Sequence, residues 1–305
     1  MTRKDPAHDR LTSSLSPSDG ETAGVKGIAR FVDSHMHFWD RALMPYTWLH
    51  EVPSIWDRHT PENLHRESPA QLPAKIVFVE CGAPWFDELE WVEQLASIEP
   101  RIRGIVAKIA INAGAQTSAD IAVLRQHPLV RGVRHHFEHE KDPDFCARPE
   151  FVRGVSELAP AGLNSDICCK HPVLPAVIEL IRQCPAVQFI LDHAGKPGIR
   201  AGLLDPWREH IRALARFPNL VCKFSGLVTE ADHQHWTAPQ LRPYVEHLLE
   251  TFGPSRLLFG GDWPVAKLAS SYVRWLDTAR ELVAGLRVGE REMVFERNAE
   301  RIYRI

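Results

Sequence analysis

Apolar, β-branched runs alternate with helix-like stretches along this chain from Ile28 onward. Runs of this kind are typical of strands buried on both faces of a parallel sheet. They predict eight strands, over residues 29–34, 76–80, 105–111, 130–135, 163–168, 187–191, 220–224 and 257–259. The stretches between and after them predict helices over 87–98, 175–182, 206–217, 239–251, 270–285 and 287–305. Eight strand–helix units in alternation favour a closed (β/α)8 barrel of the TIM type.

Residues 1–24 differ in composition from the rest of the chain. They are rich in Ser, Asp, Thr and Gly and contain no apolar core of a signal peptide. We therefore expect a flexible N-terminal tail over 1–24 and a single barrel domain over 25–305. Within that domain, residues 41–60 are too many for a tight loop and carry Trp48 and Trp56. They either fold over the barrel mouth beside a substrate or pack as a surface insertion.

The composition narrows the function classes. The 305 residues carry a formal net charge of −3, which argues against electrostatic binding of nucleic acid or of an acidic membrane. No apolar run approaches the ~20 residues that span a bilayer. The six cysteines show no Cys-x-x-Cys spacing, and we expect free thiols in a reducing cytoplasm. The expected partner is a small molecule, and the oligomeric state is left open.

Titratable side chains end most of the predicted strands, at the edge where a barrel of this type has its active site. His35 and His37 end the first strand and project from one face, because side chains alternate along a strand. A late strand brings Asp262 to the same edge, and the sixth brings His193. Buried charges are costly unless they are paired or functional. The combination favours a functional role for His35, His37, His193 and Asp262 over a structural one.

Other strand ends leave alternatives open. Glu80, Arg134 and Asp166 could contact a substrate, or they could form a structural ring of ion pairs. Lys223 could orient a substrate, although pairing with a neighbouring acid is slightly favoured. Asp262 itself could cap a helix, but the Trp-Pro that follows it disfavours an immediate helix start.

Alternation also limits which polar neighbours can share the pocket. Asp192 and His193 are adjacent, so only one of them is expected to enter the mouth. His135 and His136 are adjacent as well, and at most one of them should face the pocket.

Several reaction types lack their sequence signatures. The chain contains no Gly-x-x-x-x-Gly-Lys-Ser/Thr loop and no Gly-x-Gly-x-x-Gly after a strand. It has no Gly-x-Ser-x-Gly elbow, and its cysteines have no context that marks a nucleophile. Activation of a water molecule is the most natural chemistry that is left.

A family resemblance is carried by five segments, Val32-Asp33-Ser34-His35-Met36-His37-Phe38-Trp39, Leu191-Asp192-His193-Ala194-Gly195-Lys196-Pro197, Cys222-Lys223-Phe224-Ser225-Gly226-Leu227-Val228-Thr229-Glu230, Phe259-Gly260-Gly261-Asp262-Trp263-Pro264 and Asn298-Ala299-Glu300-Arg301-Ile302-Tyr303-Arg304. These segments resemble signatures of the amidohydrolase superfamily, and more narrowly of its sugar-lactonase branch, which includes L-fuconolactonases and L-rhamnonolactonases. The resemblance runs from about Ile28 to the C-terminus.

The chain departs from the metal-dependent members of that superfamily. They typically add a histidine at strand five and, in binuclear enzymes, a bridging lysine at strand four. Here the fifth strand offers Asp166 and the fourth offers Arg134 with histidines, which argues against a binuclear centre. A single zinc on His35, His37 and Asp262 is chemically acceptable. The related lactonases can work without metal, so catalysis without a required cofactor is favoured over the alternative of one divalent zinc ion.

The resemblance implies hydrolysis of an aldonolactone, such as L-fucono-1,5-lactone or L-galactonolactone, to its sugar acid. Asp262 would be the general base on water, and His35, His37 and His193, assisted by Arg134, would stabilise the oxyanion. Residues expected to bind the sugar ring and its hydroxyls are Trp39, Trp85, Trp263, Glu80 and Asp166. The alternatives are a mononuclear zinc hydrolase or decarboxylase on the same barrel and, with less support, a sugar-binding protein without turnover.

Overall fold

A computed structural model describes residues 30–305 of the chain. Within them, eight parallel strands form one sheet in sequence order. The predicted (β/α)8 architecture is confirmed, whereas the predicted tail over 1–24 and residues 25–29 of the predicted domain lie outside the described residues. The strands are β1 (Val32–Met36), β2 (Lys75–Val79), β3 (Ile102–Ala107), β4 (Val130–His136), β5 (Asn164–Cys168), β6 (Phe189–Leu191), β7 (Leu220–Phe224) and β8 (Leu257–Phe259).

The barrel closes where β1 meets the end of β8. Met36 forms a parallel bridge with Trp263. The backbone N–H of His37 donates to the Trp263 carbonyl at 2.8 Å, and that of Asp262 donates to the His35 carbonyl at 2.8 Å. These bonds are the reason that residues far apart in the sequence lie side by side at the barrel mouth.

Helices alternate with the strands on the outside of the barrel. Several begin with local signals in the sequence: Thr60 and Asn63 form a capping box at the first helix, with the Thr60 N–H and hydroxyl both bonded to Asn63 Oδ1. The α-helices are α1 (Pro61–Glu67), α2 (Trp85–Ile98), α3 (Ala115–Leu124), α4 (Pro149–Ser156), α5 (Leu158–Ala161), α6 (Leu174–Gln183), α7 (Trp207–Leu214), α8 (Ala238–Phe252), α9 (Tyr272–Leu282), α10 (Val288–Glu292) and α11 (Asn298–Tyr303).

Strand boundaries differ from the predicted ones mainly at β3. It spans Ile102–Ala107 rather than 105–111, because its pairing with β2 begins where Ile76 lies opposite Ile102. The apolar residues at 109 and 111 are buried after the strand has ended. Apolar character thus predicted that residues 105–111 are largely buried, and hydrogen bonding to the neighbouring strands determines where the strand begins and ends.

The segment 41–60 packs against the carboxyl end of β2. It contains two short 3-10 turns, Thr47–Glu51 and Pro53–Ile55. The Trp48 indole N–H donates to the Cys81 carbonyl at 2.7 Å, and His59 pairs with Trp39 through two backbone hydrogen bonds. These contacts pack the segment beside the carboxyl end of β2, and its predicted position beside a substrate stays a prediction.

All six cysteines are free and buried, which confirms the expectation of unpaired thiols. Among residues 30–305, no helix has both the length and the apolar character needed to cross a membrane.

Candidate active site

His37 in its neutral form presents the Nε2 lone pair to the barrel mouth. Its Nδ1 lies 2.8 Å from the Val79 carbonyl oxygen, and because that oxygen can only accept, Nδ1 carries the hydrogen. The Nε2 lone pair is therefore directed to the other side of the ring. There it lies 3.1 Å from His35 Nε2 and 3.4 Å from Asp262 Oδ1.

Asp262 reaches the histidines because the chain turns sharply after β8. Its backbone has a φ of +53°, a conformation that is uncommon for residues other than glycine. Its Oδ1 lies 3.8 Å from His35 Nε2, and Asp262 is only 2% exposed. The structure thus brings together His35, His37 and Asp262, as the sequence predicted.

Asp33 joins the two strand ends that carry these residues. Its Oδ1 accepts hydrogen bonds from the His35 N–H at 3.0 Å and the Gly261 N–H at 2.8 Å, and its Oδ2 accepts from the Tyr272 hydroxyl at 2.8 Å. Burial raises the pKa of Asp33 to about 6 against these hydrogen bonds, and nearby Asp262 adds to the rise. Sequence reasoning missed this role, although Asp33 lies on the same strand face as His35.

His193 joins the site through an unusual backbone. His193 and Ala194 both adopt left-handed conformations, with φ of +52° and +54°. The His193 ring centroid lies 4.4 Å from that of His35, and its Nδ1 lies 2.9 Å from Ser225 Oγ. Asp192 also reaches the site, with Oδ1 3.4 Å from His35 Nδ1. The prediction that only one of Asp192 and His193 enters was wrong, because left-handed residues break the alternation of an extended strand.

Arg134 is held against the wall of the site. Its Nε donates to Glu80 Oε1 at 2.7 Å, and its Nη2 donates to the Glu80 carbonyl at 2.6 Å. Its Nη1 lies 3.4 Å from His35 Nε2 and 3.7 Å from Asp192 Oδ2. Burial would raise the pKa of Glu80, but Arg134 outweighs it and holds that pKa at about 2. Glu80 is therefore a permanent carboxylate.

Lys223 forms the second half of this buried network. Its Nζ lies 2.5 Å from Asp166 Oδ2 and 2.9 Å from Asp192 Oδ1. The Tyr303 hydroxyl from α11 donates to the same Asp166 oxygen at 2.7 Å. The expected pairing of Lys223 is confirmed, and Glu80, Arg134 and Asp166 lie in ion pairs, as one of the two sequence interpretations had it. Their predicted contact with a substrate stays a prediction.

His35 is the point where this network meets the pocket. Lys223 Nζ lies 3.2 Å from His35 Nδ1, so it can donate there and leave the hydrogen of His35 on Nε2. Burial and then the charges of Lys223, His37 and Arg134 lower the pKa of His35 well below its usual range. Burial and His35 do the same for the pKa of His193. Both rings are neutral at physiological pH and can donate one N–H each.

The donor set at the mouth fits one divalent metal. The ligand atoms of His35, His37 and Asp262 all lie within 4.8 Å of one another, and imidazole with carboxylate is a donor set that zinc accepts. His37 already presents a lone pair. His35 would present one from Nε2 when its Nδ1–H donates to Asp192 instead of accepting from Lys223. Asp166 and Arg134 are engaged in ion pairs and add no histidine or bridging lysine for a second ion.

The three predicted tryptophans occupy different settings. Trp39 and Trp263 are fully buried, and their indole N–H groups donate to the Asp57 carbonyl and to Glu67. Trp85 is half-buried at the first position of α2. A sugar platform formed by these rings stays a prediction.

Of the adjacent histidines on β4, His135 packs among phenylalanines, while His136 lies 3.4 Å from Cys168 Sγ. They point to different surroundings, in line with alternation.

The chain is a closed parallel barrel that carries histidines, an aspartate and buried ion pairs at the carboxyl ends of its strands. This fold and this site agree with one family of proteins. The model of the Amidohydrolase family, Amidohydro_2, matches residues 32–305. The chain belongs to this family.

Individual relatives narrow the comparison. An L-fucono-1,5-lactonase from Burkholderia multivorans is 35% identical over 252 residues, which are 79% of this chain and 84% of the relative. An L-fucono-1,5-lactonase from Burkholderia ambifaria is 30% identical, covering 90% of this chain and 95% of the relative. The crystal structure of an amidohydrolase from B. multivorans with bound zinc matches with a TM-score of 0.83 at 32% identity, over 91% of this chain and all of that one.

Proposed function

We propose that this chain is a lactonase that opens an aldonolactone, L-fucono-1,5-lactone or a close relative, to the sugar acid. The observation that carries the proposal is the buried group of Asp262, His35 and His37 in a chain 35% identical to an L-fucono-1,5-lactonase. The family and the site favour activation of water, and the relatives favour a sugar lactone as the electrophile.

Asp262 is the proposed general base. Asp262 is 2% exposed, and its Oδ1 lies at the carboxyl edge of the barrel, 3.4 Å from His37 Nε2. A water molecule that donates a proton to Asp262 can attack the lactone carbonyl, so that a C–O bond forms while Asp262 takes up the proton. When the tetrahedral intermediate collapses, the bond to the ring oxygen breaks and that oxygen receives the proton from Asp262. The carboxylate is thereby restored.

The neutral histidines are the proposed donors to the oxyanion. Ser225 can donate to His193 Nδ1 across 2.9 Å, which leaves the His193 hydrogen on Nε2. Lys223 acts in the same way on Nδ1 of His35, whose Nε2 hydrogen lies between His35 and His37 Nε2, 3.1 Å away, until a substrate binds. His37 donates its Nδ1 hydrogen to the Val79 carbonyl, so the proposal does not keep the oxyanion role that the sequence predicted for His37. Arg134, fixed by Glu80, adds positive charge 3.4 Å from His35. Donors fixed in advance stabilise a developing negative charge without reorganisation, and this stabilisation often contributes more to catalysis than any other single effect.

We propose that the reaction needs no metal. Two cationic side chains, Lys223 and Arg134, lie within 3.4 Å of His35 nitrogens, so the chain itself supplies positive charge beside the proposed oxyanion. A lactone is also an activated ester and needs less electrophilic assistance than an amide.

The second candidate is a mononuclear zinc hydrolase or decarboxylase, which the spacing of His35, His37 and Asp262 favours. When bound, zinc would polarise the substrate carbonyl and lower the pKa of a bound water. The residues in this chain would then hold and orient the ion, with Asp192 accepting the Nδ1 hydrogen of His35 across 3.4 Å.

A proton-release assay over a panel of aldonolactones, with and without chelator, tests the proposal. Chelator-resistant turnover of an L-sugar lactone is the expected result. Activity that chelator abolishes and zinc restores would favour the second candidate. Absence of turnover with every lactone would contradict the proposed substrate class.

A further inference from the structure

A second group of charged side chains lies beyond the catalytic residues, after the carboxyl ends of β4, β6 and β7. Glu138 follows β4, Lys196 follows β6, and Glu230 ends the 3-10 turn Leu227–Glu230 after β7. All three are partly buried, and Lys196 Nζ pairs with Glu138 Oε1. We refer to Glu138, Lys196 and Glu230 as the mouth cluster.

The mouth cluster borders the catalytic residues through two short backbone connections. The Lys196 N–H donates to the His193 carbonyl at 2.9 Å. The turn that carries Glu230 starts next to Gly226. A Cβ added to Gly226 would lie 2.4 Å from His193 Nδ1 and 3.1 Å from Asp262 Oδ2, so this backbone passes close to both residues. Electrostatics agree with this placement, since Lys196 contributes to the lowered pKa of His193 and Asp262 contributes to the raised pKa of Glu230.

The backbone that presents Lys196 is strained. Lys196 has a φ of +44° and ends a run that includes His193 and Ala194, both also left-handed. Strained residues of this kind persist only where surrounding structure holds them, and they cluster at functional sites. The same run directs His193 to the catalytic residues and Lys196 to Glu138.

Neutral hydroxyl groups match the mouth cluster better than other ligands do. The ligand atoms of Glu138, His136 and Cys168 lie within 4.8 Å of one another, but the Lys196 ammonium already pairs with the Glu138 carboxylate and so disfavours a metal there. The two carboxylates balance Lys196 and nearby Lys170, which contributes to the pKa values of both acids, so the cluster has no excess positive charge for an anion. A hydroxyl both donates and accepts, so it can bond a carboxylate and an ammonium at once.

We propose that the mouth cluster is the subsite that binds the ring hydroxyls of a sugar lactone while its carbonyl lies at Asp262. This inference rests on the proposed lactonase function. In the barrel order, β7 pairs with β8, and the cluster extends from β7 past β6 to β4. It therefore begins next to the catalytic residues and continues along the edge of the barrel. Because its charged groups would bond hydroxyls, it is a specificity-determining group that a lactone without hydroxyls does not need.

The test compares L-fucono-1,5-lactone with unsubstituted δ-valerolactone in wild type, Lys196→Met, Glu138→Gln and Glu230→Gln. We expect the variants to lose about 10- to 100-fold in kcat/KM on the hydroxylated lactone, mainly through KM, as hydrogen bonds to charged groups are lost. The loss on δ-valerolactone should stay below about 3-fold. Glu140→Gln is the control, because Glu140 pairs with His135 outside the cluster. Equal losses on both lactones, or none on either, would overturn the subsite.

A binding measurement separates this inference from the proposed function. If wild type hydrolyses no lactone, the proposed function fails, and titration of L-fucose by calorimetry then tests the subsite alone. Binding to wild type that weakens about 10-fold or more in Lys196→Met would retain a hydroxyl subsite. Equal affinity of the two proteins, or no binding to wild type, would overturn it.

Discussion

Gly226 lies against His193 so closely that no side chain fits between them. A Cβ at Gly226 would lie 2.4 Å from His193 Nδ1 and 2.8 Å from its Cγ. Gly226 also has a φ of +60°, which glycine adopts without steric cost. The backbone after β7 therefore packs directly against the His193 imidazole. Because Gly226 has no side chain, His193 can form its hydrogen bond with Ser225.

Gly226→Ala should impair catalysis much more than folding. The new methyl would displace the His193 ring and break its 2.9 Å contact with Ser225 Oγ. We expect kcat to fall about 100-fold, as when one oxyanion donor is lost, while the left-handed backbone costs about 1–2 kcal/mol. Steady-state kinetics and thermal unfolding measure the two effects.

Gly202→Ala is the matched control for that change. Gly202 has a similar φ of +64°, and a Cβ there would meet nothing within 4 Å. It should lose comparable stability and retain activity. A Gly226→Ala enzyme as active as Gly202→Ala would remove His193 from the proposed oxyanion site.

The histidines of the site should act as neutral donors. His193→Asn and His35→Asn should each lower kcat by about 100-fold, or ~3 kcal/mol. His247→Asn is the control, because His247 is also buried but bonds the Arg208 carbonyl in α7, away from the site. Burial and neighbouring positive charge lower the pKa values of His35 and His193, so neither should produce a limb in the pH–rate profile between pH 6 and 8. Unchanged kinetics in both variants would remove these donors from the mechanism.

Glu88 should make stability fall as the pH rises. Burial, and then the charge of Glu80, raise the pKa of Glu88 to about 8. The folded protein then holds a proton that the unfolded chain releases near its ordinary pKa of 4.5, so the free energy of unfolding decreases between about pH 4.5 and 8. Glu88→Gln should remove most of this decrease in the free energy of unfolding, which the change in pKa puts on the order of 5 kcal/mol.

Denaturant unfolding at several pH values measures the effect of Glu88. Glu90→Gln on the same helix is the control, because Glu90 is exposed. Parallel pH profiles for wild type and Glu88→Gln would show that the carboxyl is ionised in the folded protein.

Zinc binding should depend on His37. The structure predicts that the wild type binds at most one zinc ion per chain. His37→Gln should lose this binding, because the lone pair of His37 Nε2 is already directed at Asp262. Calorimetric titration after chelation measures the stoichiometry, and Glu140→Gln serves as control. More than one tightly bound zinc per chain would contradict the single-ion site.

The sequence predicted the positions of site residues that lie on regular strands. It did not predict the positions of residues that follow a strand in a non-extended backbone. His35 and His37 followed from alternation on β1, and the meeting of β1 with Asp262 followed from barrel closure. The sequence did not predict that Asp192 and His193 both reach the site. The left-handed backbone at residues 193 and 194 depends on tertiary structure and leaves no periodic signal in the sequence.

The sequence also could not predict which side chains pair in the buried network around Lys223. Lys223 meets Asp166 from a neighbouring part of the barrel, and Tyr303 reaches the same carboxylate from the C-terminal helix. Such pairings depend on which side chains point into the closed barrel at the same height along its axis. The sequence did not predict the contacts of the mouth cluster either, although Lys196 and Glu230 stand within segments that carried the family resemblance.

The central claim is that Asp262, without a metal, activates the water that opens the lactone. The most direct measurement is L-fucono-1,5-lactone hydrolysis by chelator-treated wild type and Asp262→Asn, with the zinc content of both determined. We predict full activity in metal-free wild type and a loss of at least about 1,000-fold in Asp262→Asn with folding retained. Near-wild-type turnover by Asp262→Asn, or loss of wild-type activity on metal removal, would contradict the account.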